Sequence, residues 1–183
     1  MKKLSVAATL LALIAVSGNA LGAVPSPKVK AVSGDATSRV SEEGAPKPLN
    51  EGDPLLEGDI VDLPEGGSMT VEFHDGSEME VIGPARFKMQ LLADNARTIQ
   101  LHYGEIARFE VKDVTTGITT PLDSFVALWN GTVSVKVDAT PGKNRAVFNL
   151  IDGENAKVVD GRTPHPLTPG TPHTILRDRA PTG

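Results

Sequence analysis

Glu72, Glu78 and Glu80 lie close enough together to work as paired carboxylates, and His74, His102, His165 and His173 are the four side chains that titrate near neutrality. A glycosidase would need two of those acids facing each other across a cleft, one with a raised pKa. Another hydrolase would need His102 beside an acidic neighbour. The three glutamates instead share one alternating face, where an acidic row keeps a β-ribbon soluble and discourages edge pairing. The histidines show no metal-binding spacing. His74 precedes a turn, His102 falls on a polar strand face between Leu101 and Tyr103, and His165 and His173 lie in a proline-rich tail where solvation is expected.

A third acidic group is repeated: Glu51-Gly52-Asp53 recurs six residues later as Glu57-Gly58-Asp59, and Glu65-Gly66 follows. A helix-flanked calcium loop needs ligands at alternate positions closing on a bidentate Glu. Leu55, Leu56, Ile60 and Val61 interrupt that ladder. Gly followed by Asp is also turn chemistry, since Asp bonds nearby backbone amides, and this is the reading adopted here. Cysteine is absent, so thiolate nucleophiles, Cys-zinc sites and disulfides are excluded. No Gly-x-Ser-x-Gly elbow, His-Glu-x-x-His, Gly-x-Gly-x-x-Gly or phosphate loop occurs. The expected inventory therefore holds no catalytic, cofactor-binding or metal-binding residue, no cofactor and no enzyme activity. Trp129, the only tryptophan, lies in the apolar run "FVALWNGT" and is expected in the core.

The elements carrying these residues follow from period two. Met69, Val71 and Phe73 alternate with polar residues before His74-Asp75-Gly76-Ser77, and Met79 and Val81 resume the pattern, which predicts a hairpin. The same alternation marks "RFKMQL", "TIQLHY" and "TVSVKV". Gly83-Pro84, Ala93-Asp94-Asn95, Asn130-Gly131, Pro141-Gly142 and Asp152-Gly153 read as the turns between strands. Period 3.6 fits none of these runs. The expected fold is all-β: one compact domain of successive antiparallel hairpins, either a β-sandwich or a short β-solenoid.

The first residues have the layout of a secretory signal: a Lys2-Lys3 head, the apolar "LSVAATLLALIAV", then small residues through Ala23. The apolar run falls short of the roughly 20 residues that span a bilayer. The expected organisation is a signal over residues 1–22, a mobile segment with one possible strand over 23–48, a β-domain over 49–162, and a proline-rich strap over 163–183 holding at most one edge strand. The expected location is periplasmic or secreted, with no membrane insertion after cleavage. Of 18 basic residues, 16 remain once Lys2 and Lys3 are removed, against 23 acidic ones, a net charge of −7. Such a surface repels phosphate backbones, so a nucleic-acid partner is not expected.

Residues 48–89, "PLNEGDPLLEGDIVDLPEGGSMTVEFHDGSEMEVIGPARFKM", resemble the core pattern of the FecR-type periplasmic domain. Gly52-Asp53, Gly58-Asp59, Asp75-Gly76-Ser77 and Pro84-Ala85-Arg86-Phe87 fall at its corresponding places. "VSGDA" upstream and "IQLHYGEIARFEV", "ITTPLDSFVALWNGTVSVKV" and the closing segment through Gly170 continue the likeness in order. Trp129-Asn130 depart from the basic or small residue that usually precedes the family's Gly-Thr. The resemblance implies a compact all-β domain of repeated hairpins. Family members best known for function join such a domain to a transmembrane helix and a cytoplasmic anti-sigma segment, neither of which is expected here. Function is thus expected to reside in surface: an envelope-interaction module binding an unknown protein or polymer. The alternatives are a carbohydrate- or polymer-binding module using exposed Trp129 or Tyr103, and an envelope hydrolase.

Overall fold

The computed structural model describes residues 25–92, 96–138 and 144–177; the expected signal lies outside the described residues. Strands follow one another along the chain: β1 (Lys28–Ser33), β2 (Thr37–Arg39), β3 (Lys47–Pro48), β4 (Ile60–Leu63) and β5 (Ser68–Glu72) lead into two long ones, β6 (Glu78–Leu92) and β7 (Ala96–Val111). After them come β8 (Thr115–Thr120), β9 (Ser124–Leu128), β10 (Gly131–Asp138), β11 (Asn144–Gly153), β12 (Lys157–Asp160), β13 (Thr163–Pro166) and β14 (His173–Arg177). The described residues form an all-β domain without a helix. Alternation is the cause. Met79, Val81, Ala85, Phe87 and Met89 of β6 and Ile99, Leu101, Ile106 and Phe109 of β7 are buried, while Glu80, Lys88, Gln100 and Arg108 beside them are not.

β6 and β7 each serve two neighbourhoods. Residues 78–82 of β6 pair with β5, and residues 85–88 pair with β4. Residues 104–111 of β7 pair with β10, whereas residues 96–100 run parallel to β8. One half of the sheet therefore runs β1-β5-β6-β7-β10-β11-β14, and the other β3-β2-β4-β6-β7-β8-β9-β12-β13. The halves share one hydrophobic cluster that includes Phe109 and Phe148 from the first and Phe87 and Ile118 from the second. Each fully buried Phe contributes about 1.5–3 kcal/mol relative to exposure. With both halves burying side chains in this one cluster, the sheet packs on itself as a sandwich, and β7–β8 is the parallel pair among the described strands.

The fold-over explains a difference from the sequence reading. Gly83-Pro84 is not a turn between strands: it lies inside β6, where pairing with β7 breaks between Ile82 and Arg86. Opposite it, Gly104 takes φ 98°, and a Cβ there would sit 2.4 Å from the Ala85 Cβ. The two long strands bend together at this point because Gly104 has no side chain to collide.

Both ends are more ordered than expected. Residues 25–48 hold three strands, β1 to β3, rather than one. Residues 163–177 hold two, β13 and β14, one at an edge of each half. Prolines are tolerated in β13 because an edge strand need not donate on its outer side. His165 of β13 stacks on His173 of β14 with ring centroids 4.7 Å apart, and Arg177 pairs with Asp160, so the strap joins the two halves. The expected solvation of these histidines is thereby corrected: both are half-buried.

Candidate functional site

The glycine–aspartate corners serve strand edges. At the first, Val29 N–H donates to Asp53 O at 2.9 Å and Gly52 N–H to Val29 O at 2.8 Å, so the corner covers the outer edge of β1. The Asp53 carboxylate accepts from Asn50 N–H at 2.8 Å. At the second, Gly58 N–H donates to Met89 O at 2.7 Å, and Met89 N–H to Asp59 O at 3.0 Å. The Asp59 carboxylate accepts from Leu56 N–H at 2.8 Å. Gly52 and Gly58 hold φ of 87° and 94°. Each acid is turned toward its own loop, which is the turn chemistry the sequence implied.

The Asp75 turn does something the sequence reading missed. Arg97, 3% exposed, lies beneath it between the two halves of the sheet. Its Nη1 and Nη2 donate to the two Asp75 oxygens at 3.1 and 2.9 Å, Nη2 also reaches Ser77 Oγ at 2.6 Å, and Nε donates to Thr116 Oγ1 at 2.8 Å. The guanidinium lies 4.2 Å from the Phe73 ring centroid, and Phe73 stacks on Phe109 at 5.3 Å. Burial pushes the Asp75 carboxyl up, but the hydrogen bonds from Arg97 and Ser77 outweigh it and hold the group below its ordinary 3.8. Burial draws the Arg97 guanidinium downward against Asp75, from a value so high that it stays charged. A signal existed in the sequence. In "ARTIQL", Arg97 has the same parity as Ile99 and Leu101, which places a cation on a core-facing position.

The proposed acid–base residues do not converge. Glu72 and Glu78 are cross-strand neighbours on an outer face, with Lys30 Nζ 2.5 Å from Glu78. Glu80 stands opposite Arg108 across the β6–β7 pair. His102 is on the outer face of the other half, near Asp62, whose carboxylate holds Arg39 at 2.5 Å and Arg86 at 2.6 Å. Burial lowers its pKa below 6.5; Glu42 and Asp62 oppose this, and Arg86 and Lys88 reinforce it. His102 Nε2 and Arg39 Nε are buried with no hydrogen-bond partner among the described residues.

Trp129 corrects another expectation: it is 51% exposed rather than core. Parity is the reason. Val126 and Leu128 of β9 point inward, so Trp129 falls outward where the chain turns into β10. It borders an open cleft of about 480 Å³ with Asn130, Asp152, Glu154 and Asn155. The cleft floor is the Gly131–Gly153 pair, where a Cβ on Gly131 would lie 2.5 Å from Asp152 O. Asn130 is fixed by two bonds to Asp113, accepting from its N–H at 2.9 Å and donating to its Oδ1 at 3.1 Å. A second cleft of about 380 Å³ lies over β10 and β11 between Lys136, Arg145, Asn149 and Pro172, with Lys136 paired to Glu105 at 2.6 Å.

Among the described residues the sheet has four edges, three of them blunted. β1 is covered by the first Gly-Asp corner, β3 has two residues, one of them Pro48, and β13 carries Pro164 and Pro166. β14 pairs with β11 on one side only. Among the described residues its other edge has no backbone partner, and Leu176 on it is 66% exposed.

No protein-family model matches this chain, and no curated protein does. Two crystal structures of a candidate anti-sigma factor from Parabacteroides distasonis ATCC 8503 share its fold. Each aligns with TM-score 0.52 at 13% identity, over 67% of this chain and 60% of the other. This chain thus spans less than two thirds of that protein's length. The likeness is one of fold.

Proposed function

We propose that this chain is an exported, non-enzymatic FecR-like β-domain that binds a protein of the cell envelope by accepting an added strand along β14. The open edge of β14 carries this reading. Among the described residues it is the one edge that lacks proline, a covering loop or extreme shortness, and an extended peptide can satisfy its backbone groups while packing on Leu176. The acids support a non-enzymatic role, since Asp53 and Asp59 hold loop amides and Asp62 and Asp75 hold arginines. The fold shared with a candidate anti-sigma factor supports the envelope-module class. The secretory layout of residues 1–22 supports export to the periplasm or beyond.

A photo-crosslinking residue placed at 176 in the producing cells tests this, with the equally accessible position 40 as control. A discrete adduct at 176 only, suppressed when β14 is blocked by Thr174→Pro and Thr174→Lys alike, is the expected outcome. No adduct, or the same adducts at both positions, refutes it. An adduct made of a second copy of this chain replaces the heterologous partner by self-association.

A further inference from the structure

The cleft beside Trp129 is a surface that the β14 reading does not use, at the turn between β9 and β10. Its parts fit one kind of ligand. A half-exposed indole offers a flat apolar face with an N–H at its rim. The side chains of Asp152, Glu154 and Asn155 around it are exposed. The floor beneath them is stiff. Gly131 and Gly153 are backbone to backbone, Asn130 is tied to Asp113, and Asn155 and Asp113 hold left-handed φ of 61° and 50°.

We propose that this cleft binds a neutral glycan, with one pyranose ring stacked on Trp129 and its hydroxyls bonded to Asp152, Glu154 and Asn155. A sugar ring has an apolar C–H face and a polar perimeter, matching the indole and its border. Its hydroxyls donate to the two carboxylates, and its ring and hydroxyl oxygens accept from the Asn155 amide. Two carboxylates repel phosphorylated or uronic-acid polymers, which excludes anionic glycans. A cationic peptide would answer the acids chiefly through exposed ion pairs, which contribute little.

Because Trp129 is the only tryptophan, its emission reports this cleft directly. Titration with N-acetylglucosamine hexasaccharide and with cellohexaose is expected to give a saturable blue shift and protection from iodide quenching. Asp152→Ala and Glu154→Ala retain the fluorophore, and each is expected to weaken binding about tenfold, the loss of one good hydrogen bond. Trp129→Ala is expected to abolish the retention that the unmodified protein shows on insoluble chitin or cellulose, while its far-UV circular dichroism stays unchanged. Leu176→Lys is expected to bind sugar normally, so the two surfaces fail or succeed separately. No shift with either sugar, an equal shift in the carboxylate variants, or a shift with oligolysine alone overturns the proposal.

Discussion

Asp75→Ala would leave the Arg97 guanidinium charged, 3% exposed and without its carboxylate. Ser77 and Thr116 hydroxyls and the Phe73 face would remain, but none carries a neutralising charge. Breaking such a buried pair from one side costs about 3–5 kcal/mol. For a domain of this size that lowers Tm by roughly 6–20 °C. Arg97→Met removes the cation instead and leaves Asp75, 12% exposed, still bonded to Ser77 Oγ at 2.8 Å. That change costs about 1–3 kcal/mol. The double variant is expected to fall short of the sum by about 1–3 kcal/mol, the coupling of the pair. The sign in acid follows from the depressed Asp75 carboxyl. Its contribution is present above the ordinary value of 3.8 and is lost as pH falls through the lower folded value, so Asp75→Ala should show a shallower acid slope. Urea unfolding at neutral pH and at a series of acid pH values measures all of this. If Asp75→Ala costs less than about 1 kcal/mol, water reaches Arg97 and the buried clamp is refuted.

Two further outcomes follow from local geometry. Gly104→Ala adds a clash with Ala85 to left-handed strain and is expected to lose at least about 3 kcal/mol, whereas Gly52→Ala, whose Cβ meets nothing within 4 Å, loses about 1–2 kcal/mol; equal losses in thermal unfolding would refute the bend. His102, held below 6.5 mainly by burial, takes up fewer protons folded than unfolded, so stability should fall as pH drops below 6.5; His102→Gln should flatten that slope, and an NMR midpoint at or above 6.5 would contradict it.

What the sequence revealed was governed by pleat. Alternation marked the hairpin around Asp75 and the strands that follow, and Gly-Asp pairs marked corners because their backbone demands are local. What it concealed was set at a distance. Pairing β7 in parallel with β8 joins Ala96 to Thr115, and no local rule announces that register. Gly83-Pro84 carries a turn signature yet bends a continuous strand, because Pro64 and Gly104 decide the outcome from other elements. Arg97 was legible by parity alone. Trp129 was misplaced because hydrophobicity was weighed above parity, and the His165–His173 stack depends on two edge strands meeting across the sandwich.

Because β6 and β7 are threaded through both layers, neither layer owns a complete set of its own ribbons. A cut within β6 or β7 would therefore remove strand partners from both layers. β1 finds its strand partner β5 some 35 residues away, at Ser33 and Ser68. With β1 reaching to β5 and β10 returning to β7, much of the pairing joins distant parts of the chain, and folding is expected to be slow.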